Sequence, residues 1–459
     1  MNNEVVIIGA GISGLSTAFF LKEKGFKVSV LEVNQEVGGT MKSRIMDGYL
    51  IEYGPNSALE TTPLLKNICR KVGILDQMIY ANESSKKRCI LREGRLHPLP
   101  LSVLSFIFAG LWSFKGKMRL LLEPFYGRAK EEESIAQFVK RRLGREFLDY
   151  AINPFVAGVY AGNPECLSVR MAFPKLYALE EKHGGLIVGT IKGAFERRRR
   201  VEKAKITAKM FSFLEGMGTF PKAIASYLGS SVCTNAKATD IAKSRDKLIV
   251  SFKKNGKDYS LTTNTLVIST PAYQTPKLTK RISPKISNVL NQIHYPPLCQ
   301  VVLGYQVNDL GLKPDGFGFL VPQKEKRDIL GTIFSSSIFP KRSPDGYVEL
   351  TTFVGGTRTP ELALRSDQNI IQTVKNELTN ILKIKGNPEF VHLSRWQNAI
   401  PQYNLGYDMV HKAIEEVEKE HPGLYFCANY LGGIAVGDCI MSAQRTAEKV
   451  QRKKDTNNV

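Results

Sequence analysis

The first 32 residues carry the pattern that most constrains how this chain can fold. Residues 4–8 (EVVII) are a short apolar run rich in β-branched side chains, which predicts a buried parallel strand. A glycine-rich turn follows at 9–14 (GAGISG), then helical spacing of apolar residues over 15–24 and a second strand over 27–31. Strand, helix and strand in about 30 residues predict a βαβ unit and therefore a parallel sheet.

Each glycine of the turn has a physical role in binding a dinucleotide. Gly9 permits the tight turn, Gly11 lets the backbone approach a pyrophosphate, and Gly14 lets the helix pack closely on the strand. Free N–H groups at the helix N-terminus attract phosphates. Glu32 ends the second strand, where it can accept hydrogen bonds from ribose hydroxyls and would repel a 2′-phosphate, so NADP is disfavoured. The predicted contacts are Gly9, Ala10, Gly11, Ile12, Ser13, Gly14 and Glu32.

A second glycine turn separates the two remaining dinucleotides, NAD and FAD. Gly38-Gly39-Thr40 follows Glu32 closely, with Ser43-Arg44 behind it. This arrangement resembles the flavoprotein amine-oxidase superfamily, in which it continues the FAD site, so we expect non-covalently bound FAD. Near the C-terminus, residues 424–433 (LYFCANYLGG) predict a buried strand that delivers the chain to a helix start beside the flavin. Taken alone, that segment is equally compatible with a buried strand and a turn without a ligand.

Composition and cysteine spacing exclude several classes of protein. The chain has 459 residues, 43% hydrophobic and 23% charged, which is typical of a globular protein of roughly three domains. Seven dispersed cysteines without a CxxC pair indicate reduced thiols in the cytoplasm rather than a disulfide scaffold or a zinc site. Because the six histidines show no metal-ligand spacing, we expect no metal. We predict no signal peptide, and no apolar run reaches the ~18 residues that span a bilayer.

The formal net charge of +21 indicates an acidic partner or simply a solvated basic surface. Basic residues cluster at 115–119 and at Arg197–Arg200. Nucleic acid, anionic lipid and an acidic ligand would all be attracted by such a field. The Arg197–Arg200 run has no interleaved aromatic residues, and no nucleic-acid-binding module is recognisable, so we expect no nucleic acid partner.

Further motifs narrow the resemblance to one family. Residues 153–164 (NPFVAGVYAGNP), followed by Leu167-Ser168, resemble a signature of the FAD-dependent protoporphyrinogen and coproporphyrinogen oxidases. Residues 54–57 (GPNS), 396–403 (WQNAIPQY) and 429–439 (NYLGGIAVGDC) are similar to the same family, so the resemblance covers nearly the whole chain. It implies a six-electron oxidation of a porphyrinogen to a porphyrin, with molecular oxygen as acceptor and hydrogen peroxide as product.

The resemblance also implies a composite α/β fold. It comprises a Rossmann-like FAD-binding domain, an inserted helical membrane-associating domain, a mixed-sheet substrate domain and a polar tail that we expect to fray. The corresponding ranges are 1–85, 211–275 and 421–452 for FAD, 86–210 for the helices, 276–420 for the substrate domain and 453–459 for the tail. Ala238 stands where the family usually has valine. The further implied FAD contacts are Gly39, Thr40, Gly54, Pro55, Asn56, Ser57, Ala238, Asn429, Ile434, Ala435 and Val436.

Substrate contacts follow from the same resemblance. Arg88 matches the arginine that pairs with a propionate, although a surface arginine beside Lys86 and Lys87 would give the same local pattern. Phe317, Leu320 and Ile333 match apolar positions that sandwich the macrocycle, and ordinary strand core is the alternative. Gly158 would lie beside the ring, with its carbonyl facing the pyrrole nitrogens. The sequence identifies no catalytic acid or base, so none is assigned, and the flavin carries the redox chemistry.

Several alternatives stay open at this point. Protoporphyrinogen IX is the first substrate candidate and coproporphyrinogen III the second, and the number of cations in the pocket distinguishes them. A flavin amine oxidase, a carotenoid desaturase or a non-catalytic basic protein is more distant. The apolar run 101–114 and the basic stretch behind it predict peripheral attachment to the cytoplasmic face of an anionic cell membrane. A ferrochelatase that takes the product is a predicted partner, and a homodimer is left open.

Overall fold

A five-stranded parallel sheet lies at the centre of the nucleotide half of the molecule. The structure, a computed structural model, describes residues 4–100, 102–196 and 208–457. Both strands predicted at the N-terminus form with the predicted bounds. The chain has a mixed α/β fold, and this sheet takes its strands from three distant parts of the sequence. In order across the sheet the strands are Val232–Cys233, Lys27–Leu31, Glu4–Ile8, Thr265–Ile268 and Leu424–Phe426.

Both faces of the parallel sheet are covered, which explains why its strands are continuous apolar runs. Val5 and Ile7 face one side, where helices pack, and Val6 and Ile8 face the other. That second face is covered by an antiparallel sheet whose buried side chains include Val250. The three helices of the first face are Ile12–Glu23, Thr219–Leu228 and Val436–Asn457. The strands of the antiparallel sheet are Ala236–Ser244, Lys247–Lys254 and Lys257–Thr263.

A seven-stranded mixed sheet forms the second half of the molecule. In order its strands are Phe390–Trp396, Leu298–Gln306, Tyr347–Gly355, Gly331–Phe334, Gly318–Leu320, Arg88–Arg92 and Arg95–Pro98. The sequence predicts a helix over 367–382. The structure has this helix, Asp367–Leu382, with the same bounds, and it presents Ile370, Val374 and Leu378 to the sheet at helical spacing. Residues 88–98 were assigned to the helical region. The structure instead pairs Arg88–Arg92 in parallel with Gly318–Leu320, a contact between segments more than two hundred residues apart.

Short helices fill the region between residues 103 and 196. The sequence predicts single helices over 102–122 and over 134–147. The first prediction is wrong, because this range forms two helices, each starting at a serine cap: Ser102 accepts from the Ser105 N–H and Ser113 from the Gly116 N–H. The helix predicted over 134–147 is likewise interrupted, at Gly144 with φ of 91°. The main helices here are Val103–Phe108, Phe114–Leu121, Ile135–Arg142, Asn153–Tyr160, Pro174–His183 and Leu186–Glu196.

The last helix of the chain extends through most of the predicted tail. The expected fraying of the tail is wrong as far as Asn457, because the last helix continues to that residue, with Lys454 lying over the Phe26 ring. The crowding of Ala, Glu, Lys and Arg over 193–209 predicts a further helix. Most of that range, including the Arg197–Arg200 cluster, lies outside the described residues. Further strands are Ser43–Met46, Tyr49–Glu52, Ala58–Leu59, Met78–Tyr80 and Met210–Phe213, and further helices are Leu64–Lys71, Thr275–Thr279, Pro284–Asn291, Ser335–Ile338, Pro360–Ala363 and Asp408–Glu420.

All seven cysteines fall within described parts of the chain and are free thiols. Within those same parts, no helix is both long enough and apolar enough to cross a membrane.

A buried ion network holds the helical region together. Arg142 and Glu123 are both fully buried, with 3.2 Å between the Arg142 Nη1 and the Glu123 Oε1. Arg142 also pairs with Glu180. The Glu123 carboxylate in turn accepts from the backbone N–H groups of Leu186 and Ile187, at the start of helix Leu186–Glu196. One arginine thus links three segments that are distant in sequence.

Replacing Glu123 by glutamine is expected to destabilise the protein by about 3 kcal/mol, because it leaves the Arg142 charge buried with one partner fewer. Denaturant unfolding of the purified protein measures this loss. Lys140→Ala, which breaks the exposed pair with Glu165, is the control and should cost below about 1 kcal/mol. Equal effects of the two substitutions would contradict the importance of the buried network.

Candidate cofactor and substrate site

The glycine-rich turn after the first strand is shaped for a phosphate group. Gly9 has φ of 104°, and a side chain on it would lie 2.9 Å from the backbone oxygen of Ser269. A Cβ on Gly14 would overlap the Gly9 carbonyl oxygen. Gly11, by contrast, caps the first helix with no side-chain hydrogen bond, and a Cβ on it would meet nothing within 4 Å. Ile12 and Ser13 then open the helix, which has no acidic residue in its first turn. The helix N–H groups therefore face open space, where a pyrophosphate fits.

The Glu32 carboxylate is held at the end of the second strand. It is 5% exposed, and it accepts hydrogen bonds from the Ala10 N–H at 2.9 Å and from the backbone and side chain of Asn34. A carboxylate has about four acceptor positions, so one stays available for a ribose hydroxyl. Ala238 lies near this place, because the Ala236 N–H donates to the Glu32 carbonyl at 2.7 Å.

The second glycine turn lies against the first. The Gly38 N–H donates to the Ala10 carbonyl at 2.8 Å, and a Cβ on Gly39 would lie 3.3 Å from the Gly11 Cα. A Cβ on Gly54 would overlap the carbonyl oxygen of Thr40, so the chain passes closely here as well. Pro55 follows Gly54 directly. The structure therefore brings together the residues predicted at 9–14, 32, 39–40 and 54–55.

A tyrosine that was not predicted, Tyr403, holds the C-terminal segment in position. The fully buried Tyr403 hydroxyl donates to the Asn429 carbonyl and accepts from the Gly433 N–H at 3.1 Å. Burial raises the pKa of Tyr403 well above its ordinary value, so the hydroxyl stays neutral and can make both bonds. Ile434 and Ala435 then lead into helix Val436–Asn457. Tyr403 belongs to the motif at 396–403, which resembles the porphyrinogen oxidases, and that motif was the signal that could have identified this residue.

The five predicted substrate residues gather around one short strand, Gly318–Leu320. Gly318 is paired with Ile333 on one side and with Arg88 on the other, and Phe317 directly precedes it. A Cβ on Gly158 would overlap the Leu320 side chain, so the helix that carries Gly158 packs directly on this strand. The three apolar side chains, Gly158 and the arginine thus share one place, although they are far apart in the sequence.

Arg88 is a cation without a counter-charge among the described residues. Its guanidinium carbon lies 5.0 Å from the centroid of the Phe317 ring. The side chain is reached by solvent, yet enough protein surrounds it that burial lowers its pKa. Its neighbours differ, because Lys86 is paired with Glu83 and Lys87 with Asp315. An unpaired guanidinium beside an aromatic ring is suited to bind a carboxylate.

A small cavity connects the two groups of predicted residues. It has a volume of about 10 Å³, and its walls include Asn56 and Ser57 from the predicted cofactor site and Phe317 and Ile333 from the predicted substrate site. The cofactor and substrate predictions therefore meet at one cavity.

Three charged residues in the cavity wall were missed from the sequence: Glu52, Arg342 and Glu349. Burial raises the pKa of Glu52 to about 7 and that of Glu349 to about 8. The signal was present, because Glu52 ends the buried strand Tyr49–Glu52 and Glu349 lies within the largely buried strand Tyr347–Gly355.

The geometry is matched by similarity to known proteins. The family model of flavin-containing amine oxidoreductases matches residues 12–451. Protoporphyrinogen oxidase 2, chloroplastic/mitochondrial, of Arabidopsis thaliana is 31% identical, over 97% of this chain and 93% of that protein. Coproporphyrinogen III oxidase of Bacillus subtilis (strain 168) is 27% identical, over 95% of each chain. A crystal structure from Exiguobacterium sp. 255-15, provisionally described as a protoporphyrinogen oxidase, has the same fold, with a TM-score of 0.81, 22% identity and 99% of each chain covered.

The glycine turns, the buried Glu32 and the open helix N-terminus fit FAD, in agreement with these similarities. The chain therefore belongs to the flavin-containing amine oxidoreductase family, in the group that includes the protoporphyrinogen and coproporphyrinogen III oxidases, and it is an FAD-dependent oxidoreductase.

Proposed function

We propose that this protein oxidises protoporphyrinogen IX to protoporphyrin IX, removing six electrons in three steps and passing them to molecular oxygen. The observation that carries this proposal is Arg88, an unpaired cation beside the apolar side chains of Phe317, Leu320 and Ile333. A porphyrinogen has the complementary chemistry, with an apolar macrocycle and acidic propionates. The plant protoporphyrinogen oxidase that aligns over nearly the whole chain supports the same activity.

The protein's own residues would bind and orient the substrate. FAD supplies the two-electron redox chemistry when bound. The Arg88 guanidinium binds a propionate. Phe317 and Ile333 contact the macrocycle. Leu320, which packs against Gly158, fixes the position of the macrocycle. The absence of a side chain at Gly158 lets its helix pack directly against Leu320, which holds the substrate-binding strand in place.

Coproporphyrinogen III is the second candidate, and the Bacillus relative supports it. It carries four propionates where protoporphyrinogen IX carries two, so it needs more unpaired cations. The two lysines beside Arg88, Lys86 and Lys87, already have carboxylate partners. This pairing favours the substrate with fewer carboxylates.

Porphyrin fluorescence tests the proposal. The purified FAD-loaded protein is mixed in parallel with protoporphyrinogen IX and coproporphyrinogen III, and the initial rates are corrected for spontaneous oxidation. A higher kcat/KM for protoporphyrinogen supports the proposal, whereas a higher value for coproporphyrinogen would replace it with the second candidate. If the flavin is bound and neither compound is oxidised, both candidates are excluded.

We further propose that an apolar surface near residues 104–125, here called the apolar patch, attaches the protein to the cytoplasmic face of an anionic cell membrane. Phe108 and Phe125 are each 84% exposed and Phe114 is 80% exposed, and lysines 115 and 117 lie next to them. Exposed apolar side chains flanked by basic residues are typical of interfacial attachment. The patch comprises Leu104, Ile107, Phe108, Phe114, Met118, Leu121, Leu122 and Phe125.

Replacing Phe108, Phe114 and Phe125 together by serine is expected to lower binding to vesicles at least 100-fold. Each phenylalanine that enters the interface contributes about 1.5 kcal/mol or more. Co-sedimentation with vesicles of phosphatidylglycerol and phosphatidylcholine measures the effect. The matched control replaces Val307, Leu312 and Leu364 by serine, which are exposed elsewhere on the molecule. Equal binding by both triple variants would reject the apolar patch as the attachment site.

A further inference from the structure

We propose that Glu349, supported by Glu52 and Arg342, is a proton-holding site for the oxidation. Glu349 takes up the proton that leaves the substrate in each two-electron step and gives it back when oxygen is reduced. This inference rests on the proposed function, and it assigns a role to a residue that neither the family motifs nor the predicted site contains.

The position of Glu349 is the first observation. It lies in the buried strand Tyr347–Gly355 and is 2% exposed. The hydroxyls of Ser335 and Thr351 act on the carboxylate, and the Thr351 hydroxyl donates to its Oε1 atom at 3.3 Å. Its Oε2 atom is buried without a well-formed hydrogen bond from the described residues. A carboxylate oxygen that is buried without a donor raises the free energy of the folded protein, unless the carboxyl is protonated or a water molecule donates to that oxygen.

The charges around Glu349 are the second observation. Glu52 is also buried, and its carboxylate accepts from the Ser43 hydroxyl and the Met217 N–H. Arg342 is 2% exposed and acts on both carboxyls. With both carboxyls ionised, the buried site would carry a net charge of −1. With one proton shared between the two carboxyls, the site is neutral, so the singly protonated state of the pair is favoured.

The titration of the two carboxyls agrees with this charge balance. Burial, the largest cause, raises the pKa of Glu52 to about 7 and that of Glu349 to about 8. Tyr49, which also acts on this site electrostatically, has its pKa raised to about 12 and stays neutral, and Arg342 stays charged although burial lowers its pKa. Because the carboxyls interact, they titrate as a pair near neutral pH, where the site can both accept and release a proton.

The cavity links this pair to residues that are predicted to bind the cofactor and the substrate. Glu349 and Glu52 form part of its wall, and Phe317, Ile333 and Asn56 form another part. Its volume of about 10 Å³ is close to the space that one water molecule needs. One water can therefore connect the unpaired Glu349 oxygen with the side of the cavity where the substrate is proposed to bind.

The proton balance of the reaction gives the site its task. Each of the three steps removes a hydride from a methylene C–H bond and one proton from the substrate. Over the whole reaction four methylene C–H bonds and two pyrrole N–H bonds break, so the proton comes from a pyrrole nitrogen in two steps and from the fourth methylene carbon in the third. Bound FAD would supply the two-electron acceptor for the hydride, and the proton forms an O–H bond with the Glu349 carboxylate. Molecular oxygen then takes the two electrons and both hydrogens to form hydrogen peroxide, and Glu349 returns to the carboxylate. Each cycle thus closes with no net uptake or release of protons by the protein.

Infrared spectroscopy of the FAD-loaded protein tests the site without any substrate. The wild type should show the C=O stretch of a protonated carboxylic acid near neutral pH, and this band should disappear as the pH rises above about 8. Glu349→Gln, which keeps the shape but cannot titrate, should lose that component. A wild type without the band at pH 6, or a band unchanged in the variant, would overturn the inference.

Unfolding at different pH values gives a second readout. Since the pKa of Glu349 is raised from 4.5 to about 8, the folded protein binds a proton in that range that the unfolded chain does not. This group therefore makes the wild type less stable as the pH rises from 4.5 to about 8, and has no further effect above that. Glu349→Gln does not lose stability in this way, so the Tm of the variant minus the Tm of the wild type should increase from pH 5 to pH 9. Parallel Tm curves for the two proteins would contradict the assignment.

Kinetics then test the transfer itself. At pH 7, anaerobic reduction of the bound flavin by protoporphyrinogen IX should be about 100-fold slower in Glu349→Gln. The substrate dissociation constant, taken from the concentration dependence of this reduction, should change less than about threefold. Glu349→Asp should restore part of the rate. The matched control is Glu416→Gln, an exposed carboxylate paired with Lys285 on the surface, and it should behave as the wild type.

The outcomes separate this inference from the proposed function. A wild-type rate and pH profile in Glu349→Gln would overturn the proton-holding role while leaving the porphyrinogen activity intact. If the wild type itself oxidises neither porphyrinogen, the proposed function fails, and the infrared and unfolding measurements alone decide whether Glu349 holds a proton.

Discussion

Replacing Gly14 by alanine should destabilise the protein by about 3 kcal/mol and abolish the retention of FAD. The added Cβ would overlap the backbone oxygen of Gly9, and backbone at this position cannot move without separating the first helix from the first strand. The ratio of flavin to protein absorbance after purification measures retention. Thermal unfolding of the flavin-free protein measures stability.

Gly11→Ala is the matched comparison. A Cβ there meets no protein atom within 4 Å, so the flavin-free protein should keep its Tm. FAD affinity should still fall by about 10- to 100-fold, because the methyl group occupies the space in which the backbone approaches the pyrophosphate. Equal flavin affinity in Gly11→Ala and the wild type would show that the cofactor does not approach the chain at this turn.

Replacing Arg88 by methionine should lower kcat/KM for protoporphyrinogen IX about 100-fold. A charge-assisted hydrogen bond to a carboxylate contributes about 1.5 to 3 kcal/mol, and the neighbouring Lys86 and Lys87 are already paired with Glu83 and Asp315. Steady-state porphyrin fluorescence measures the loss. FAD content should be unchanged, because Arg88 lies over the ring of Phe317, a predicted substrate residue.

Two control variants make the Arg88 result specific. Lys86→Met removes a neighbouring positive charge that is already paired with Glu83, and it should leave kcat/KM within about twofold of the wild type. Arg88→Lys keeps the charge but not the planar fork, so it should restore only part of the activity. If Lys86→Met and Arg88→Met have the same effect, the general basic field rather than a specific propionate contact determines the rate.

Local patterns explain the parts of the fold that were predicted correctly. The first strand, the glycine turn and the second strand lie within 32 residues, and their apolar runs and φ requirements are properties of neighbouring residues. Helix 367–382 has the predicted bounds for the same reason, because its apolar spacing and its serine cap are both local. Where the local signal was divided, prediction failed: the serine caps at 102 and 113 outweighed the apolar composition that indicated one helix.

Long-range pairing explains what was missed. Arg88–Arg92 was placed in the helical region because its pairing with Gly318–Leu320 leaves no pattern in either segment. Tyr403 was noted only as part of a motif, and its two bonds to the turn at 429–433 depend on how distant segments pack.

The sequence by itself determined the dinucleotide turn, because glycines at fixed spacing and an acid at a strand end meet their requirements within one βαβ unit. The preference for FAD and the family followed from the resemblance that the second glycine turn and the later motifs carry. Only the tertiary structure decided that Glu52, Arg342 and Glu349 meet in one buried site. Glu52 and Glu349 are nearly three hundred residues apart, and their raised pKa values come from burial, which exists only when the strands that carry them pack together.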